Sequence, residues 1–417
     1  MGRFGFMAIL RNLKSIESLR IPSFRMYFCS RLCDAAARNI WQMSLVLLMY
    51  RLTHSATLLG VLILAQSIPL LVVTPLAGAI ADRVQKKYII QISGAIDMVI
   101  ALGVASGLAL GYLSENNAGA WWILVFASFT DGIISSFKGP ANDAMVVEVV
   151  GKGLITNAIA LNQAGQNTLR LAAPVLAGIL IDTYDFETVY YLMAVIYLAS
   201  VIFMTLVPPT SKPFHSDTHI LGDIGDGWRY IKQERNILFV LISIFCIVIL
   251  SMPYRQLLPI FTEDILKVGA TGLGLLQGVS GAGAIIGAII LASLPNDRRR
   301  GAMMLLSSFF LGLALVFFSF STSWYFSLAI MVVVGIGQTG RMTLPVALLQ
   351  YYAKSEYRAR VMSFYGVEFG LSSFGSFLAA ILAESIGVQW SVGGLALVLA
   401  ILSLLALVFI PRLRNLN

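Results

Sequence analysis

Apolar residues in this chain gather into twelve long runs separated by short polar connections. They lie at 24–49, 57–78, 88–112, 120–142, 157–181, 188–207, 236–260, 271–294, 301–320, 324–352, 360–385 and 389–410. An α-helix rises about 1.5 Å per residue, so about 20 apolar residues cross a hydrocarbon layer about 30 Å thick. Lipid offers no hydrogen-bond partner to an open sheet edge, so each run predicts a helix. The pattern predicts an all-α membrane protein of twelve transmembrane helices.

Composition agrees: 58% of residues are hydrophobic and 12% charged, with mean hydropathy +0.83. The net charge of +8 would suit a nucleic-acid partner, but its placement argues for none. Arg3, Arg11, Lys14, Arg20, Arg25, Arg83, Lys86, Lys87 and Lys152 fall on one side of the predicted spans. So do Lys212, Arg229, Lys232, Arg235, Arg298, Arg299, Arg300, Lys354, Arg358, Arg360, Arg412 and Arg414, leaving Arg51 and Lys267 opposite. Such asymmetry is the positive-inside rule, and it predicts a multi-pass protein of the cell membrane with both termini in the cytoplasm. Residues 1–23 lack the apolar core and small-residue site of a cleavable signal. Ile16–Phe28 reads instead as a basic interfacial helix. Cys29, Cys33 and Cys246 show no metal spacing, and no cofactor or metal is expected.

The longest polar stretch divides the chain near its middle. It begins with Pro208, Pro209 and Pro213 and continues as an amphipathic pattern over His219–Gln233, with Ile220, Ile224, Trp228 and Ile231 at helical spacing. The expected organisation is a six-helix bundle at 1–207, a cytoplasmic linker at 208–235 and a second six-helix bundle at 236–417. The halves echo each other. Leu59-Gly60-Val61-Leu62 precedes the turn at Asp82-Arg83, and Leu273-Gly274-Leu275-Leu276 precedes the turn at Asp297-Arg298. A repeat of six spans in the same orientation suits a transporter whose halves are related by an axis along the membrane normal.

Gly78-Ala79-Ile80-Ala81-Asp82-Arg83-Val84-Gln85-Lys86-Lys87 resembles the loop signature of the major facilitator superfamily, with Gln85 in place of the usual second glycine. Ala65-Gln66-Ser67-Ile68-Pro69, Asn157-Ala158, Leu161-Asn162 and Arg358-Ala359-Arg360-Val361-Met362-Ser363 narrow the match. Together they resemble the branch that holds enterobactin-type siderophore exporters and macrolide-type drug:proton antiporters. The resemblance implies that Asp82 gates, facing the positive N-terminus of span eleven near Arg360–Met362. A carboxylate there is worth about 0.3–2 kcal/mol, enough to bias two states without locking one. Gly78 would allow close approach, and Arg83, Lys86 and Lys87 would hold the loop at the surface or serve topology alone. Leu169-Arg170-Leu171-Ala172-Ala173-Pro174-Val175-Leu176-Ala177-Gly178 resembles the helix-kinking motif of antiporters, carried here by Pro174 and Gly178.

Charges inside the membrane cost about 2.5–3.5 kcal/mol each on insertion scales, so each asks for a purpose. Asp34 and Arg38 share a helix face in span one, where they form either a mobile or a static pair. Asp131 lies in span four, Arg170 in span five, Arg255 in span seven, Arg341 in span ten and Glu368 in span eleven. The resemblance implies a cavity lined by spans one, four, seven and ten. Proton coupling needs a carboxyl that a dry setting neutralises and a cation re-ionises. Asp34 suits that role, with Asp131 and Glu368 as alternatives, and Arg341 is a candidate for an anionic part of the substrate. Asp97, Lys138 and Asp143 read as packing or snorkelling groups. Trp41, Gln42, Met43, Phe137, Tyr254, Tyr365 and Phe369 offer either an adaptable binding surface or ordinary packing.

The expected function is secondary active transport by alternating access: export of a small amphipathic molecule such as a drug or siderophore, driven by protons or Na⁺, in a monomer. A lipid or lysophospholipid flippase, or a small-metabolite importer, is the alternative within transport. A membrane enzyme is disfavoured because His54, His215 and His219 all fall in predicted loops, and a scaffold would leave the buried charges idle.

Overall fold

A computed structural model describes residues 14–151, 153–209, 228–293 and 299–416, with the backbone alone at 14–16, 75, 76, 78–83, 116, 118 and 359. A 3₁₀ turn at Lys14–Arg20 precedes α1 (Pro22–Thr53), α2 (Ala56–Arg83), α3 (Lys86–Ala109), α4 (Trp122–Val150) and α5 (Ile155–Thr205). Then come α6 (Arg235–Ser251), α7 (Pro253–Ile260), α8 (Gly269–Ala292), α9 (Arg300–Ser319) and α10 (Trp324–Tyr352). The last are α11 (Arg358–Tyr365), α12 (Glu368–Ile386), α13 (Val388–Phe409) and the short α14 (Pro411–Arg414). "Inner" here names the helix ends beside the basic loops, and "outer" the opposite ends.

Ten helical stretches among the described residues are long and apolar enough to cross a membrane. One of them, α5, has 51 residues and breaks at Asp185, where φ is 78°. Fifty-one residues at 1.5 Å measure about 77 Å, more than twice the hydrocarbon thickness, so α5 carries spans five and six. The 32 residues of α1 also have the length, although Arg25, Arg31, Asp34, Arg38 and Arg51 interrupt their apolar run. Among the described residues, counting α5 as two and α1 by length alone gives twelve stretches long enough to span.

The structure moves several boundaries. The expected interfacial helix over Ile16–Phe28 ends at Arg20, because Pro22 supplies the preset φ of a first helical residue and opens α1. Phe24 and Tyr27 are therefore core residues, fully buried. Span seven breaks before Pro253 and closes in one π turn, Phe261–Ile265. Span eleven tightens at Gly366 and Val367, whose N–H groups bond back three residues to Ser363 and Phe364. Of the linker helix, Trp228–Gln233 is helical, and 219–227 lie outside the described residues.

Two compact units divide the chain. One comprises Met1–Leu45, Pro69–Ala173 and Thr183–Ser216, with a core built on Phe24, Tyr27, Ile90, Met145 and Met204. The other comprises Val46–Ile68, Pro174–Asp182 and Asp217–Asn417, with a core around Ile231, Val240, Ile244, Leu344 and Leu348.

Close helix packing in lipid relies on small residues, since the apolar tails are as greasy as the side chains they would replace. In the second unit α8 and α10 meet this way. A Cβ on Gly283 would strike the Val332 carbonyl, and one on Gly335 the Ser280 carbonyl. Neither backbone can yield, so Gly335→Val is expected to destabilise the unit by about 1–3 kcal/mol or more, read as earlier thermal aggregation in detergent. The repeated glycines also occupy matching crossings. Gly60 of span two abuts Phe377 and Ala380 of span eleven, and Gly274 of span eight abuts Pro174 of span five.

Candidate functional site

On α1 the residues Arg31, Asp34, Arg38 and Trp41 recur at spacings of three, four and three, and so share one face. Asp34 is 3% exposed and lies 3.3 Å from Arg38 and 3.8 Å from Arg31. The expected Asp34–Arg38 pair is therefore present, but it is one arm of a larger network. Lys138 of α4, itself 1% exposed, pairs with Asp34 and, at 2.6 Å, with Asp97 of α3. The ring of Tyr197 lies 5.5 Å from the lysine nitrogen. Asp131, two turns before Lys138 on α4, lines a narrow cleft with Trp41, Asp97, Ile100 and Tyr197. Three carboxylates thus share the first unit's interior with three cations.

Lys138 and Asp97 correct the sequence reading, which took both as packing or snorkelling groups. That reading ended span four at 142, whereas α4 continues to Val150. Val150 lies twelve residues beyond Lys138, which puts the lysine about 18 Å from that end, beyond the reach of its side chain. Its only way to stay charged in the interior is a partner, and it has two. The signal was available: Lys138 stands seven residues after Asp131, on the same helical face.

The two acids are held unequally. Asp34 faces Lys138, Arg38 and Arg31, while among the described residues the one ion pair of Asp97 is with Lys138. The lysine and its two carboxylates carry a net charge of −1, which one proton neutralises.

A second buried network lies in the other unit. Arg341, 3% exposed, donates at 2.5 Å to Glu368 and at 2.9 Å to Gln338, whose amide reaches the Tyr254 hydroxyl at 3.4 Å. These bonds tie spans seven, ten and eleven together, and Arg341 and Glu368 become partners. Glu368 opens α12 directly after the tightened turn. Arg255 is half-buried and makes no ion pair among the described residues, and Arg170 occupies an exposed position on α5. Trp41, Met43 and Tyr254 are buried in packing, while Phe369 is 70% exposed.

Of the signature loop, Gly78, Asp82 and Arg83 are described by their backbone alone, which forms the end of α2. The two lysines after it are anchored within their own unit. Lys86 pairs with Glu148 at 2.7 Å. Lys87 is buried and donates to the carbonyls of Thr205, at 2.9 Å, and Val207, at 2.5 Å, where a cation satisfies the end of α5. In the kink motif Pro174 lies inside α5, and a Cβ on Gly178 would strike the Ala270 carbonyl. With Gly274 on Pro174, span five and span eight meet backbone to backbone.

Long apolar helices with charges paired among them are the build of a multi-pass transporter, and the family and relatives that match the chain make it one of the major facilitator class rather than an enzyme. The chain belongs to the transmembrane secretion effector family, whose sequence profile matches residues 14–417. It is 22% identical over 356 residues to macrolide efflux protein A of Streptococcus pyogenes, covering 84% of this chain and 86% of that one. It is 23% identical over 333 residues to the enterobactin exporter EntS of Shigella boydii serotype 4 (strain Sb227), covering 79% and 76%. Both arms of the resemblance read from the sequence are thereby borne out. The crystal structure of a mutant form of the peptide transporter POT superposes with TM-score 0.72 over 96% of this chain and 99% of that one, at 13% identity. That likeness establishes the fold.

Proposed function

We propose that this protein exports a small amphipathic molecule from the cytoplasm in exchange for protons. In this reading the termini are cytoplasmic, the working unit is a monomer, and 1–207 and 236–417 move as two six-helix bundles about the linker. Export is favoured by the efflux relatives and by the kink motif around Pro174. The observation that carries proton coupling is Lys138, shared at membrane depth between Asp34 of span one and Asp97 of span three.

A lysine between two carboxylates has two arrangements. With both acids ionised it bridges them and draws α1, α3 and α4 together. When a proton neutralises one acid, the lysine turns to the other and the bridge loosens. Three cations hold Asp34 ionised, so the proton goes to Asp97, the acid with one. This moves the coupling role from Asp34 to Asp97 and leaves Asp34 as the fixed counter-ion. Asp131, across the cleft from Asp97, lies on the path by which a proton reaches it. In the other unit Arg341 and Glu368 tie spans seven, ten and eleven together.

The test is uptake into inverted vesicles under an imposed pH gradient, with a radiolabelled panel that includes a macrolide and enterobactin. Accumulation that follows the pH gradient and persists when a Na⁺ gradient is absent supports proton-driven export. Accumulation that follows Na⁺ alone, or that takes place only in right-side-out vesicles, overturns it.

A further inference from the structure

The structure assigns a second set of charges to a task that the loop signature does not cover. We propose that Asp182 and Glu384 form a twofold-repeated latch at the outer ends of the helices, each carboxylate closing on the N-terminus of a helix from the opposite half of the chain. Asp182, at the outer end of span five, accepts from the backbone N–H groups of Ala270, at 3.3 Å, and Thr271, at 2.7 Å. These belong to the first turn of α8, where backbone donors have no partner within the helix. Glu384, at the outer end of span eleven, accepts from the Thr57 N–H at 3.0 Å, in the first turn of α2, and from the hydroxyl of Ser55, just before that helix, at 3.2 Å. Under the six-span repeat, span five corresponds to span eleven and span eight to span two. One physical device therefore appears twice, in matching places.

Each half of the latch also closes over a glycine crossing. Below Asp182 lie the contacts of Gly178 with Ala270 and of Gly274 with Pro174, and below Glu384 lies Gly60 against Phe377 and Ala380. Backbones this close seat the carboxylates on their donors without long side chains. Arg51 adds a cross-link, at 2.8 Å from Glu263 and 3.6 Å from Asp182, and the Tyr50 hydroxyl bonds to Asp264. All of these contacts lie within the compact unit that joins Val46–Ile68 and Pro174–Asp182 to the C-terminal half.

The inference rests on the alternating-access reading, in which the outer ends of spans two and five part from those of spans eleven and eight once per cycle. The latch bonds must then break to open the outer face. A carboxylate on a helix N-terminus suits such a catch, because the bond is favourable, local and reversible.

The test is the distance between nitroxide labels at Tyr112→Cys and Tyr325→Cys, both exposed and outside the latch, in reconstituted protein with Cys29, Cys33 and Cys246 replaced by serine. Pulsed electron resonance reads the long-distance, outer-open population. Asp182→Ala with Glu384→Ala is expected to raise it roughly tenfold, and each single change by less. Asp182→Asn with Glu384→Gln keeps the acceptor oxygens and removes the charges, so it should fold as the parent does and give an intermediate rise. Two populations in the parent that neither double variant changes would overturn the latch and leave transport standing. A single distance in the parent, fixed at every pH and with or without a transported compound, would overturn both.

Discussion

Asp97→Asn is expected to abolish accumulation driven by a pH gradient while leaving exchange of substrate across the membrane intact. With one proton coupled per substrate, each pH unit supplies about 1.4 kcal/mol, so a gradient of about 2 units supports about 100-fold accumulation. Without a carboxyl at position 97 the lysine is left with Asp34, which its three cations keep as a fixed counter-ion in this account, and the ratio should fall to about one-fold. Counterflow needs no proton, and its rate should stay within about threefold of the parent, since the asparagine keeps the shape and an acceptor for the lysine. The pair of assays separates lost coupling from lost folding. Full gradient-driven accumulation in Asp97→Asn would return the coupling role to another acid.

Lys138→Met should be the most destabilising single change among the buried charges. It leaves Asp97 with no cation and Asp34 with two arginines. Removing one partner of a buried ion pair costs about 3–5 kcal/mol while the remaining group is ionised, so the loss should be largest at high pH and shrink as acidification neutralises Asp97. Adding Asp97→Asn removes that orphaned charge, and Asp34 retains Arg31 and Arg38. The double variant should therefore recover most of the stability without recovering proton-driven transport. Thermal unfolding in detergent reads the first effect and vesicle uptake the second. A double variant no more stable than Lys138→Met would show that the lysine stabilises by packing rather than by charge.

The fold was legible because lipid imposes one rule on every span, and the apolar runs obey it. What stayed hidden was irregular backbone. The breaks at Pro253 and Gly366 fall inside continuous apolar runs, whereas the turn at Asp185 falls in the short polar connection at 182–187 that already separated spans five and six. Of the site, the Asp34–Arg38 pair was visible because it is local, one helical turn on a single face. The bridge from Lys138 to Asp97 joins residues 41 apart on different helices, and no spacing along the chain encodes which faces meet. Arg341 and Glu368 were each singled out, yet their pairing depends on how spans ten and eleven rotate toward each other. The outer carboxylates escaped notice because Asp182 and Glu384 lie at span ends, where an acid looks like ordinary surface; only their backbone partners give them meaning.

The most direct measurement is infrared difference spectroscopy of the reconstituted protein as the bathing pH is lowered. The account predicts a protonated-carboxyl band from a dry site that appears on acidification, survives Asp131→Asn and disappears in Asp97→Asn. A band that persists unchanged in Asp97→Asn would mean that the lysine bridge between spans one, three and four does not carry the proton.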